Sequence, residues 1–222
     1  MKQIPFENLD VGRKIPIYLN LETIYEKVVQ QKRGGFCYEV NGLFHWLLVT
    51  LGFQPQLVAA TVKRPNGVWA KTDTHVGIIV ELNDKQYLVD VGFGASPLFP
   101  VHINGKEQTD TGGTYKVVQQ DKHYFDLMKK ADGDWRTLYR FDCSEKDLAD
   151  FHEGCVFNQV SKDSSFTHSD LVTRPTDNGR LTLSGNSLTE DRNGISKKRV
   201  LTETEKKEVL KNLFGIDLSS IR

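Results

Sequence analysis

The chain has few cysteines, no long hydrophobic run and no excess of charge of either sign, and each shortage excludes something. Cys37, Cys143 and Cys155 are the only cysteines in 222 residues. An odd number without CxxC spacing argues against both a disulfide framework and a structural zinc site, and no metal is expected. No apolar stretch approaches the ~20 residues of a membrane span. The opening MKQIPFENLD also lacks the apolar core of a signal peptide, so a cytoplasmic setting without a membrane partner is expected. Lys plus Arg and Asp plus Glu each count 29, which leaves no overall basic field to attract nucleic acid. A small molecule is the expected partner. Internal repeats and low-complexity tracts are absent as well.

What is present reads as an α+β chain. After Asn20, a good N-cap, Leu21, Ile24, Tyr25, Val28 and Val29 fall on the stripe of an amphipathic helix. QQKRGG stops it. The spacing predicts a second helix from about Phe36 to Leu51, with Val40, Leu43, Phe44, Leu47, Leu48 and Leu51 on one face and Gly52 as its stop. From Pro55 the pattern changes to short β-branched and aromatic runs. Turn pairs separate them: Asn66-Gly67, Asn83-Asp84, Asn104-Gly105, Gly112-Gly113 and Asp132-Gly133. This β-rich region is expected to continue to about Asn158. SKDSSFTHSD reads as a polar surface connection, followed by one or two strands and a terminal helix capped by Thr202 with Glu205 and ended by Gly215. The expected division is 1–54 helical, 55–158 β-rich and 159–222 α/β.

Chemistry is suggested first by RGGFCYEVNGLF, Arg33 to Phe44, which puts Cys37 where a helix begins. Free backbone N–H groups and the helix dipole at such a start favour negative charge on the sulfur, so Cys37 is placed to be reactive; the other reading is a free cysteine packed as a small hydrophobe. A nucleophilic thiol also needs a base. His75 begins one strand pattern, THVGIIVEL, and Asp90 ends another, KQYLVDVGFG, with Asn83-Asp84 between them. A two- or four-residue turn there pairs His75 with Gly92 and Gly77 with Asp90. His75 and Asp90 then become diagonal neighbours on one face, ~7–8 Å apart at the backbone, and Gly77 leaves room for the carboxylate. In that arrangement Asp90 orients His75 and His75 takes the proton of Cys37. Gly92-Phe93-Gly94 is too short for a nucleotide fingerprint; it suits close approach of backbone to a ligand, with Phe93 as an aromatic wall. Lys129-Lys130 and Lys197-Lys198-Arg199 read as solvated surface, and are also the cations available to a phosphate-bearing ligand.

Together RGGFCYEVN, THVGIIV and VDVGFG, in that order, resemble the arylamine N-acetyltransferase family, and the similarity runs from IPFENLD to GRLTLSG. The resemblance implies Cys37 as acetyl acceptor, His75 as base and Asp90 as its orienting carboxylate. It implies a substrate pocket at Phe36, Gly92, Phe93 and Gly94. It further implies that Glu7, Arg33 and Glu39 belong to a charge network beside the nucleophile, with a scaffold role. The fold implied is a helical N-terminal region, a β-barrel-like middle and an α/β lid, with a cysteine-protease-like core. Acetyl-CoA is the implied donor and an arylamine or arylhydrazine the implied acceptor, in a two-step exchange belonging to xenobiotic metabolism.

Family members usually begin a few dozen residues before the IPFENL block, whereas this chain begins three residues before it. The expected consequence is exposed apolar surface on the Leu21–Val29 and Val40–Leu51 helices, favouring a homo-oligomer. Two rival readings remain at this stage. One is another Cys-His-Asp acyltransferase, an amide synthase or a transglutaminase-like enzyme; the other is a non-catalytic, shortened relative.

Overall fold

Asn20 does cap a helix, but not a regular one. In the computed structural model, which describes residues 2–218, Phe6–Glu7 form a short strand β1 and Leu9–Gly12 a helical turn α1. The Asn20 side chain then accepts from the N–H groups of Glu22 and Thr23 to start α2, Leu21–Tyr25. This helix widens into a π-helical turn over Glu26–Gln30. The second helix, α3, covers Cys37–Thr50 and stops at Gly52, whose φ of +88° suits glycine.

Eight antiparallel strands follow: β2 (Pro55–Val62), β3 (His75–Leu82), β4 (Lys85–Val89), β5 (Val101–His102), β6 (Gln108–Asp110), β7 (Gly113–Gln119), β8 (Tyr124–Ala131) and β9 (Asp134–Lys146). Their spatial order is β5-β4-β3-β2-β9-β8-β7-β6. Because β5 also lies alongside β7, the sheet curls toward a barrel. Successive residues of a strand face opposite sides. Val58, Ile79, Leu88, Tyr115, Tyr139 and Phe141 therefore fill the interior, while Leu57, Val76, Ile78 and Val80 pack outward against Tyr38, Phe151 and Cys155.

Beyond β9 the chain departs from the sequence expectation. Instead of strand continuing to Asn158, a 3₁₀ turn at Leu148–Phe151 leads into helix α4, His152–Val160. Its buried side is Gly154, Cys155 and Asn158, which gives no apolar helical period to read. SKDSSFTHSD is also more than surface. Ser164 is buried, and the Phe166 ring lies 5.9 Å from that of Phe6.

The last third holds four strands rather than one or two: β10 (Leu171–Thr176), β11 (Gly179–Ser184), β12 (Ser187–Arg192) and β13 (Ile195–Val200). They extend β1 into a five-stranded sheet ordered β1-β10-β11-β12-β13. The edge strand β13 is exposed along its whole length and rich in lysine and arginine, a composition that discourages pairing with another chain. Helix α5, Glu203–Phe214, opens with the Thr202/Glu205 capping box and lays Val209, Leu210 and Phe214 over Val172, Leu183 and Leu188.

An apolar groove of about 710 Å³ runs along α2 and α3, lined among others by Tyr25, Val28, Leu43, Trp46 and Leu47, and reaches Val89, Asp90 and Val91. Neither Cys37 nor His75 lines it. Tyr25 of α2 is 40% and Trp46 of α3 42% exposed, so both helices carry the uncovered apolar surface expected of them. Among the described residues no helix is long and apolar enough to cross a membrane.

Candidate active site

Close backbone contact sets where α3 begins. A side chain at Gly34 would put its Cβ 2.1 Å from the Pro5 carbonyl oxygen, so only glycine lets this segment lie against β1. Gly35 O accepts from Glu7 N at 3.0 Å. Phe36 N then donates to Glu39 Oε2 at 3.0 Å, and Cys37 stands in the first turn of a 14-residue helix. That is the positive end of the helix dipole.

The Asn83-Asp84 pair makes the two-residue turn, both residues having positive φ, +51° and +58°. The ladder pairs Leu82 with Lys85 and Ile78 with Val89, the register anticipated from the sequence. His75 and Asp90 come together at its open end: His75 Nε2 donates to Asp90 Oδ2 at 2.8 Å. Cys37, whose Sγ lies 4.0 Å from Thr74 O of the residue before His75, is close enough to act on the ring as well. Burial opposes a charged ring, but Asp90 and Cys37 outweigh it and push the imidazole up to about 10. The pair therefore favours an imidazolium facing the sulfur.

Asp90 is fully engaged by donors. Oδ1 accepts from Asn41 Nδ2 at 2.9 Å and Gly92 N at 2.8 Å, and Oδ2 accepts from His75 and from the Tyr139 hydroxyl at 2.9 Å. Burial alone would raise this carboxyl, yet His75, Asn41 and Gly92 hold it below the ordinary carboxylate range. Asn41 also donates to Val76 O and accepts from Val91 N. It thereby ties α3 to both arms of the hairpin.

A matching of the chain to known proteins agrees with this geometry. The family model described as N-acetyltransferase matches residues 1–222. The pineal gland arylamine N-acetyltransferase isozyme NAT-10 of Gallus gallus is 32% identical, over 98% of this chain and 84% of its own. Among solved structures, an arylamine N-acetyltransferase of Bacillus cereus superposes with a TM-score of 0.92 at 30% identity, over 98% of this chain and 87% of that one. The Mycobacterium marinum arylamine N-acetyltransferase in complex with CoA gives 0.89 at 29%, over 99% and 83%. The chain belongs to the arylamine N-acetyltransferase family. The Bacillus cereus family member has a Cys-His-Glu catalytic triad; in this member the carboxylate on the histidine is an aspartate.

The charge network beside the site is larger than Glu7, Arg33 and Glu39. Arg33 Nε donates to Glu7 Oε1 at 2.8 Å and Arg33 Nη2 to Asp10 Oδ1 at 3.0 Å, while Lys27 reaches both Asp10 and Glu39 at 2.7 Å. Burial pushes the Glu39 carboxyl up to about 7 despite the Lys27 charge. Lys27 comes from the π-helical turn and carries no motif, so nothing in the sequence singled it out. Tyr139 was missed for a similar reason, lying 49 residues from Asp90 on another strand. Asn41 had a signal, since it lies one helical turn after Cys37 and so on the same face.

Two expectations need correction. Phe36 is no substrate contact: it has no exposed surface, and its ring packs edge-on against Tyr38 at 5.1 Å and Phe166 at 6.4 Å in the core. Gly77 does not make room for Asp90 either, because its Cβ position meets Val58 and Leu88 at ordinary contact distances. Phe93 is half-buried, with its ring 5.3 Å from those of both His75 and Tyr139. A Cβ at Gly94 would meet Thr173 Cγ2 at 3.1 Å, and one at Gly92 would lie 2.7 Å from Cys37 Cα. Backbone atoms cannot yield as a side-chain tip can. The expected outcome for Gly92→Ala is a loss of about 1–3 kcal/mol in chemical denaturation, with slowed labelling of Cys37 by a thiol reagent.

Proposed function

We propose that the protein transfers an acetyl group from acetyl-CoA to the nitrogen of an arylamine or arylhydrazine through an acetyl-Cys37 intermediate. The observation that carries this is the Cys37–His75–Asp90 line, with a carboxylate held by four donors, in a member of this family. His75, oriented by Asp90, takes the Cys37 proton, and the sulfur attacks the thioester carbonyl. The bond from the acetyl carbon to the CoA sulfur breaks, and CoA leaves as the thiol with the proton from His75. The amine nitrogen then attacks the acetyl-cysteine and its proton passes to His75. A C–N bond replaces the bond to Cys37 Sγ, and the thiol is restored. Phe93 walls the acceptor pocket beside His75, and Gly92 and Gly94 let backbone approach the substrate.

Three further points belong to this reading. The three unpaired cysteines, including the proposed nucleophile, fit a reducing compartment, and the cytoplasm is the proposed location. A role in xenobiotic metabolism follows from aromatic amines as acceptors. The exposed apolar face of α2 and α3 supports pairing with a second copy of the chain. Sedimentation velocity is expected to show a concentration-dependent dimer that Leu47→Glu converts to monomer; a wild-type monomer at all concentrations rules the pairing out.

Intact-protein mass spectrometry tests the function. Mixing with acetyl-CoA should add a single acetyl group that vanishes when an aromatic amine follows. A folded protein that never gains the adduct would overturn the reading.

A further inference from the structure

Between the barrel and the second sheet lies a group of side chains that the acetyl-transfer steps leave unused. Arg180 on β11 donates from its guanidinium to Thr173 Oγ1 at 3.3 Å. Lys129 on β8 holds its Nζ over the Tyr115 ring, 5.4 Å from the centroid. These cations come from different sheets yet are close enough to act on each other. Burial and then the Arg180 charge hold Lys129 below the ordinary lysine range, and burial lowers Arg180 in the same way. Among the described residues neither has a carboxylate within 4.0 Å.

Two carboxylates do face the group. Asp110 is already occupied, accepting from Gly112 N at 2.6 Å and Leu98 N at 2.5 Å. Asp191 stands opposite Arg180 in the β11–β12 ladder, but the arginine bonds Thr173 instead. Two half-buried cations side by side, neither held in a close ion pair, repel each other, and an arriving anion relieves that repulsion.

A further observation points the same way. Ser96 is fully buried, and among the described residues its hydroxyl has no hydrogen-bond partner. It belongs to the same neighbourhood. The Tyr115 hydroxyl donates to Ala95 O at 3.2 Å, and a Cβ at Gly112 would lie 2.9 Å from that hydroxyl and 3.8 Å from Ser96 O. The location also connects to the chemistry. Gly94, against Thr173, follows Phe93, whose ring packs on His75, and lies two residues beyond Gly92, which abuts Cys37.

We propose that Arg180, Lys129 and Ser96 form an oxyanion-binding subsite for a negatively charged group on a substrate whose reacting end lies at Cys37. A phosphate of CoA and a carboxylate on an aromatic amine both have this chemistry. Arginine and lysine together suit either, the guanidinium through paired hydrogen bonds and the ammonium as a point charge. The proposal rests on Cys37 being the acetyl acceptor.

The test compares charged with uncharged substrates in Arg180→Gln and Lys129→Gln. The donor ratio is kcat/KM for acetyl-CoA over that for S-acetylpantetheine, which lacks phosphates. The acceptor ratio is kcat/KM for 4-aminobenzoate over that for aniline. One ratio is expected to fall roughly tenfold to a hundredfold, the effect of losing a charge-assisted hydrogen bond. A fall in the donor ratio assigns the subsite to a CoA phosphate, and a fall in the acceptor ratio assigns it to the amine's carboxylate. Both ratios within about twofold of wild type overturn the proposal. Lys129 is only half-buried, so Lys129→Gln keeps the comparison available if Arg180→Gln fails to fold. If wild-type protein takes acetyl from no donor, that failure belongs to the proposed function, and the subsite is judged by melting temperature in inorganic phosphate. A rise in wild type that Lys129→Gln abolishes supports the subsite, and no rise overturns it.

Discussion

Cys37→Ala protein should fold, bind its substrates and transfer no acetyl group. Cys37 is almost fully buried at the start of α3, where removing one sulfur atom should change stability by only about 1 kcal/mol, a typical single-substitution effect. The chemistry has no substitute for that sulfur. In the proposed mechanism His75 takes its proton from Cys37 Sγ, and the acetyl group waits on that sulfur between donor and acceptor. Cys37→Ser keeps the shape but offers a hydroxyl whose proton is far harder to remove. Its kcat is expected to fall by roughly 10⁴-fold or more, as when a nucleophile is lost from a cooperating set. Stopped-flow release of CoA in the first turnover is the appropriate measurement. A normal burst from either variant would move the nucleophile elsewhere.

Asp90→Asn is the second large effect expected. The substitution places an amide where four donors converge, so at least one donor loses its acceptor and His75 loses its charge partner. A fall in kcat of roughly 10⁴-fold is expected, with about 3–5 kcal/mol lost in stability from breaking a buried pair. Asp90→Glu keeps the charge and should recover more activity than the amide does, which a purely structural role would not predict. The pH profile gives an independent readout. The folded imidazole is raised to about 10 from an ordinary 6.5, so its stabilisation is complete below about pH 6.5 and disappears as pH rises through about 10. Wild type should therefore lose stability along that alkaline window, and Asp90→Asn should lose much less of it. Equal slopes in urea denaturation between pH 7 and 10 would contradict the ion-pair account.

Local chemistry explains which parts of the molecule were readable in advance. Helix α3 announces itself by an apolar period and a glycine stop, α5 by its capping box, and the β3–β4 hairpin by Asn83-Asp84, whose turn length sets which residues share a face. With that register, the meeting of His75 and Asp90 could be worked out from the chain alone. Helix α4 could not, because its buried side is made of glycine, cysteine and asparagine. Strands β11 and β12 are legible in GRLTLSG and the stretch around Leu188, whereas β10 carries Pro175, which argues against a central strand, and β13 is polar and exposed throughout and takes its place by pairing with β12. In the site, contacts within a helical turn or a hairpin were within reach, whereas Tyr139, Lys27 and Asp10 arrive through tertiary folding. The placement of Phe36 failed because the residue before a reactive cysteine can face either the cleft or the core, and the Tyr38 and Phe166 rings draw it inward.

The two residues of β1 have a consequence in time. Phe6 pairs with Thr173 and Glu7 with Val172, Asn8 bonds the backbone of Phe166, Ser169 and Leu171, and Glu7 in turn holds Arg33 four residues before Cys37. The scaffold around the thiol thus waits for a segment more than 130 residues downstream. On a ribosome the amino-terminal part emerges long before its partner, and contacts of such sequence separation form slowly even in the free chain. The scaffold beside Cys37 is therefore expected to close among the last features of the molecule, after β10 has been made and paired with β1.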